Sequence, residues 1–158
     1  MAEIHHFKDF SIVLGDIDIH VKLSRFSAQF NEAQRELDSM VMTSMIRYMP
    51  FLTGAFINET KAVSAAMMGT GWVCAGVPPM GRYLYEGKVM VDATTGKGPM
   101  KISKYGETLL RFRKGAKLKP TERNLTYSNG RRSHWFEAAE KADKKMWIRV
   151  TKKIAGGG

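Results

Sequence analysis

The sequence predicts an α+β fold, with a long N-terminal helix and a C-terminal helix packed on an antiparallel β-sheet and a long extended loop insertion. Three observations predict it. Phe26, Phe30, Ala33, Leu37, Val41, Met45 and Tyr48 recur in alternating steps of four and three, which keeps them on one side of a helix. Ile17, Ile19, Val21 and Leu23 alternate with Asp18, His20 and Lys22, the two-residue period of a half-buried strand. Trp135, Ala139, Ala142, Met146 and Val150 form a second helical face near the C-terminus.

In chain order, residues 1–16 are mixed, with weak strand character around Ile12–Leu14. Ser24 is placed to cap a first helix of about 24 residues and about 36 Å. Pro50 stops it, lacking an N–H and biasing Met49 away from helical angles, and Gly54 frees the backbone for a sharp turn. A helical turn at Ala55–Thr60 and a strand at Lys61–Ala66 are expected next. Gly69-Thr70-Gly71 then reads as a hairpin turn into a strand at Trp72–Val77, broken by Pro78-Pro79. Met80–Gly87 reads as a short helix or turn crowded with aromatics. Residues 88–130 form a long loop or arm, with short strands at Val89–Val91, Thr108–Phe112 and Leu125–Tyr127. Ser133 caps the last helix; Glu137 and Glu140 near its start and Arg149, Lys152 and Lys153 near its end suit the helix dipole. Residues 155–158 read as a flexible tail.

Residues 1–158 fit one domain, with no repeat and no linker. The apolar fraction of 44% is globular rather than disordered. A single cysteine, Cys74, excludes an internal disulfide and a cysteine-cluster metal site, and its neighbours Val73 and Ala75 suggest a small buried filler. No apolar run is long enough to span a bilayer, and Met1–His6 lacks the basic start and apolar stretch of a signal peptide. Synthesis in a reducing cytosol, as a soluble protein without membrane contact, is the expectation. The net charge of +10 is uneven: residues 101–158 hold 16 Lys/Arg against 5 Asp/Glu, and the first 100 residues are near neutral. That split points to an anionic partner, either nucleic acid or an acidic protein surface.

The residues that could carry chemistry do not assemble into a reaction centre. His5-His6, His20 and His134 lack the i, i+4 spacing of a helical zinc site, so no metal is expected. Asp16 and Asp18 share a strand face whose exposure gives nothing to split their acidities. Thr95-Gly96-Lys97-Gly98 lacks the earlier glycine and following hydroxyl of a phosphate loop. Cys74 has no evident histidine partner, and no serine sits in a nucleophile elbow. The expectation is a protein that is not an enzyme and has no cofactor.

Surfaces are the alternative. Eleven methionines include Met40, Met42, Met45 and Met49 within the first helix, readable as core filler or as an adaptable contact surface. Met42 and Met49 point off the main stripe, and Trp147 lies off the C-terminal apolar face. With Tyr85, these are the candidate subunit-interface residues. Arg111, Arg113, Lys114, Lys117 and Lys119, with Arg131 and Arg132, are candidates for contact with DNA or another anionic partner. No aromatic interleaving or helix-turn-helix pattern suggests base reading.

Three segments carry a family resemblance. Met49-Pro50-Phe51-Leu52-Thr53-Gly54-Ala55-Phe56 is similar to the tyrosine–proline–x–x–threonine–glycine–aliphatic stretch after the first helix in minor capsid proteins of tailed phages. Arg82-Tyr83-Leu84-Tyr85-Glu86-Gly87 resembles that family's P-Y-A-x-x-x-x-G turn, with Met80-Gly81 standing where proline-tyrosine is expected. Leu125-Thr126-Tyr127-Ser128 and Trp135-Phe136-Glu137-Ala138-Ala139 resemble its closing strand and Trp-led helix. The resemblance spans roughly residues 17–155, in the right order. It implies a structural virion protein of the head–tail neck of a long-tailed bacteriophage, a head–tail joining or tail-completion component. Such proteins form rings between the head connector and the tail. The implied partners are further copies of the chain, other neck proteins (connector or stopper) and a tail terminator or tail tube, with non-specific contact with genomic DNA in the channel. The implied location is the virion head–tail junction, after synthesis in the host bacterial cytoplasm. Residues 88–120 are expected to reach a neighbouring subunit or ring and to order on assembly. The alternative reading is a sequence-independent nucleic-acid-binding module, and a small hydrolase has only the unaligned histidines in its favour.

Overall fold

The structure, a computed structural model, describes residues 5–14, 17–52, 54–78, 80–104 and 106–156. Asp16, Thr53, Pro79, the start at 1–4 and the last two glycines lie outside the described residues. Helix α1 (Ser24–Ile46) forms where the apolar period marks it. Leu23, not Ser24, is its N-cap, and the first turn is secured from outside the helix. Asp9 Oδ1 accepts the Leu23 N–H at 2.6 Å, and Ser27 Oγ accepts the Phe7 N–H at 2.8 Å. His5 and Asn31 exchange two further bonds, at 3.1 and 3.0 Å, which straps residues 5–9 along the helix. The helix closes before Pro50, with the Tyr48 N–H on the Met45 carbonyl at 2.9 Å.

Gly54, at φ 83°, makes the left-handed turn that a side chain would resist, and α2 (Ala55–Ala66) starts there. The expected turn at 55–60 followed by a strand at 61–66 is corrected: both belong to one helix. Its buried face is Ile57, Thr60 and Ser64, so two of the three inward residues are polar and hide the helical period. Each hydroxyl is satisfied locally, Thr60 donating to the Phe56 carbonyl at 2.7 Å and Ser64 Oγ accepting the Cys74 N–H at 3.1 Å. The hairpin expected at Gly69-Thr70-Gly71 is also corrected, because residues 72–77 form no strand. Their turn folds onto Asp38 of α1, whose Oδ2 accepts the N–H groups of Gly69 (2.7 Å) and Gly71 (3.2 Å). Cys74 is half-buried there.

The expected short element at 80–87 is α3 (Gly81–Glu86), ended by Gly87. Residues 88–130 hold more structure than a loop. Strand β3 (Lys88–Asp92) pairs antiparallel with β6 (Leu118–Asn124), and β4 (Met100–Lys104) pairs with β5 (Glu107–Arg111) between them. The strand expected at Leu125–Tyr127 is irregular. Near the N-terminus, β1 (Phe10–Leu14) pairs with β2 (Ile17–Val21). Helix α4 (Trp135–Ile154) closes the fold, with His134 rather than Ser133 at its N-cap.

The chain is α+β, with four helices and small antiparallel sheets among the described residues. One part of the expected architecture changes: the three sheets are separate two-stranded ribbons, and α1 and α4 pack chiefly on each other. The second half of the apolar side of α1 is taken up by α4, α2 and the 72–77 segment, Phe30 packs on His5 and Phe7, and Phe26 is left exposed. Met42, Met45, Met49, Ile57, Trp135, Ala139 and Trp147 form the core, with Phe56, Leu84 and Tyr85 against it.

Candidate functional site

The segments that carry the resemblance are far apart in sequence, and the fold brings them to one place through Trp135. Its ring is fully buried and meets Tyr85 edge-on at 4.8 Å and Phe56 edge-on at 6.1 Å between centroids. Its indole N–H donates to the Ala75 carbonyl at 2.8 Å. Backbone bonds lock the same junction, from the His134 N–H to the Tyr85 carbonyl and from the Arg132 N–H to the Tyr48 carbonyl, both 2.9 Å. The Tyr85 hydroxyl donates to Glu137 of α4. Burial, then that hydrogen bond, raise the Tyr85 phenol well above its ordinary value. Burial, the largest single influence, raises the Glu137 carboxyl, but the Tyr85 bond, the residue's own backbone N–H and the charge of His134 together hold it below its usual range. Glu137 is therefore ionised at neutral pH and accepts the Tyr85 hydroxyl as a carboxylate.

Of the four expected interface residues, three are corrected. Met42, Met49 and Trp147 are buried in the chain's own core. The second half of α1 and the turn that follows it are enclosed by α4 on one side and by the 69–75 segment on another, so Met42 on the helix and Met49 just beyond it have no solvent face. Trp147 packs into α1 and donates to Ser44 Oγ at 3.2 Å. The buried line of α4 runs Trp135, Ala139, Trp147 in multiples of four, leaving Ala142 and Met146 exposed. Such a row drifts round the helix, as the ridges of packed helices do, and a fixed stripe misses it. Tyr85 is half-buried and does reach the surface. With Leu37, Val41, Trp72, Val73 and Phe136 it lines an open groove of about 440 Å³. Trp72, on the groove's rim, is 74% exposed; the sequence reading had placed it in a strand.

The basic candidates divide as well. Arg113 is engaged by Asp92, with Nη2 to Oδ1 at 3.3 Å and a closer contact from Nε. The Arg113 hydrogen bond, with the Thr94 N–H at 2.9 Å, lowers the Asp92 carboxyl to about 2. Arg131 donates to the Ile46 and Met49 carbonyls at the end of α1 and lies over the Phe51 ring at 5.2 Å. Both are engaged within the chain, Arg113 at a strand end while still exposed to solvent and Arg131 at a helix end. Arg111, Lys114, Lys117, Lys119 and Arg132 are exposed, and none pairs with a carboxylate among the described residues. Arg149 and Lys152, expected only as partners of the helix dipole, and Lys141 and Lys145, not singled out in the sequence, are exposed on α4 at spacings of four and three that mark a cationic face.

Among the described residues no three His, Cys, Asp or Glu are grouped to hold a metal ion, and no helix is long and apolar enough to cross a membrane. Compared with family models, with curated proteins and with solved structures, the chain matches none.

Proposed function

We propose that this chain is a non-enzymatic joining protein of the head–tail neck of a long-tailed phage, assembling as a ring between the head connector and the tail. The observation that carries this reading is the convergence at Trp135. The segment after the first helix, the short aromatic helix and the Trp-led helix resemble one phage family in order, and Phe56, Tyr85 and Trp135 meet in one aromatic cluster. A shared order of motifs that is also one packed junction is what a common scaffold would produce. The remaining apolar surface, on ribbons and rims, suits a part whose work is contact.

The test is genetic and structural. A nonsense mutation in the coding sequence should give filled heads and complete tails that fail to join, and purified protein should restore joining in vitro. Absence of the protein from purified particles would overturn the reading. The exposed cations favour a second reading, a free module that binds nucleic acid through phosphates. Tight binding of duplex DNA by the monomer, falling steeply with salt, would select it. The neck reading expects weak binding by the monomer.

A further inference from the structure

Helix α4 buries one side against α1 and turns the other to solvent, and the outer side carries a stripe of cations. At about 100° of turn and about 1.5 Å of rise per residue, Lys141, Lys145, Arg149 and Lys152 share an arc of about 80° along about 16 Å of helix. All four are exposed, and none pairs with a carboxylate among the described residues. The carboxylates of the helix itself are engaged elsewhere: Glu137 accepts from Tyr85, Glu140 from Lys144 at 2.7 Å, and Asp143 pairs with Arg47 of α1. Lys141 with Lys145, and Lys145 with Arg149, are like charges four residues apart, a spacing that destabilises a helix. The helix dipole favours Lys152 in the last turn but offers nothing to Lys141 and Lys145 in the middle. The stripe therefore gains from an anion laid along it.

Its chemistry favours phosphate over an acidic protein surface. Three of the four cations are lysines, a residue depleted at protein interfaces, and no aromatic anchor stands among them. Ile148, 46% exposed, borders the stripe. A lysine meets phosphate as a point charge and needs no fixed geometry. The apolar side of α4 is committed to the core through Trp135, Ala139 and Trp147, so the helix has no such face left to enter a lipid surface. With Trp147 buried, no ring on the stripe is free to stack an unpaired base, which favours a duplex over a single strand. We propose that the outer stripe of α4 lies along the backbone of double-stranded nucleic acid, its four cations taking phosphates without reading sequence. A duplex carries one charge per about 3.4 Å of each strand, so a stripe of this length has four phosphates of one strand within reach. The inference goes beyond both functional readings above, neither of which says which cations make the contact. Binding strength separates those readings, and the stripe locates the contact in either.

The test measures binding of a short labelled DNA duplex of mixed sequence to the full chain, by fluorescence anisotropy over a series of salt concentrations. Combining Lys141→Gln, Lys145→Gln, Arg149→Gln and Lys152→Gln should reduce the slope of log K against log salt by about 3–4, and weaken binding at low salt at least ~10-fold. A second variant removes the same charge from exposed cations scattered over the molecule: Lys22→Gln, Arg25→Gln, Lys61→Gln and Lys101→Gln. It should keep the slope within about 1 of the unaltered chain. Changing the three stripe lysines to arginine should keep it as well. Circular dichroism checks that every variant folds. As an independent measurement, duplex should protect Lys141, Lys145 and Lys152 from an amine acylating reagent while Lys61 reacts as before, read by mass spectrometry. Equal falls in both glutamine variants would make binding a property of net charge and overturn the proposal. So would a chain that binds no duplex at low salt. Stripe-dependent binding of polyglutamate or of phosphatidylserine vesicles, with duplex binding indifferent to the stripe, would overturn it in favour of a protein or lipid partner. An unchanged slope leaves the joining role standing, and absence from particles removes that role while leaving a measured slope intact.

Discussion

Gly81 shows how one residue type can be required by backbone contact alone. A Cβ there would lie 2.5 Å from the Gly76 carbonyl carbon and 3.0 Å from its Cα, so the turn before α3 closes only with glycine. This is one of the positions where the chain departs from the phage-like motif. Gly81→Ala should cost about 1–3 kcal/mol in urea unfolding, the scale of overpacking. Gly98→Ala, with no atom within 4 Å of the added carbon, should cost far less. Asp38 makes a comparable case with a polar group. Replacing it by alanine leaves the Gly69 and Gly71 N–H groups without their acceptor and should cost about 1–3 kcal/mol, measured in the same way. Asp92 adds a pH signature. Its folded pKa of about 2 lies below the unfolded value of about 3.9, so its contribution is present above pH ~4 and is lost as pH falls through about 2. Thermal melts between these limits should show the loss, and Asp92→Asn should flatten that slope.

At the scale of elements, α1 and α4 are one unit. The Trp147 indole on Ser44 and the Arg47–Asp143 ion pair tie them at separate points. Trp147→Ala should cost about 3–5 kcal/mol by thermal or urea unfolding, the range for deleting a buried aromatic, whereas an exposed contact residue would cost little. The ribbons should behave in the opposite way. Among the described residues, β4 and β5 have only each other as strand partners, so in the monomer their amides should exchange with deuterium orders of magnitude faster than those of α1 and α4. Slow exchange throughout residues 100–111 of the free chain would contradict that.

For the whole molecule, helices supply the rigid body and ribbons supply the reach. The core draws on α1, α2 and α4, while much of the exposed apolar surface lies on β1, β2 and β4 or beside the core at Phe51, Leu52 and Trp72. The positive charge is distributed likewise, over the 111–119 segment and the outer face of α4. If the molecule met duplex DNA through Arg111, Lys114, Lys117 and Lys119, replacing all four with glutamine would reduce the slope of log K against log salt by about 3–4. An unchanged slope would direct that charge to an acidic protein neighbour instead.

By itself the sequence determined the α+β class, the approximate extent of α1, its stop before Pro50, a short helix or turn before Gly87 and the Trp-led terminal helix. Each of these depends on local period, proline or glycine, which neighbours in sequence suffice to set. The tertiary structure alone decided that α2 is one helix, because its inward face is polar and satisfied by nearby carbonyls and N–H groups. It alone decided that Met42, Met49 and Trp147 are core, because a helix enclosed on several sides has no single apolar stripe. It also separated Arg113 and Arg131, held by a distant carboxylate and by a helix end, from the cations left unpaired among the described residues. Which partner a charged or apolar side chain meets depends on residues tens of positions away, and only folding brings those together.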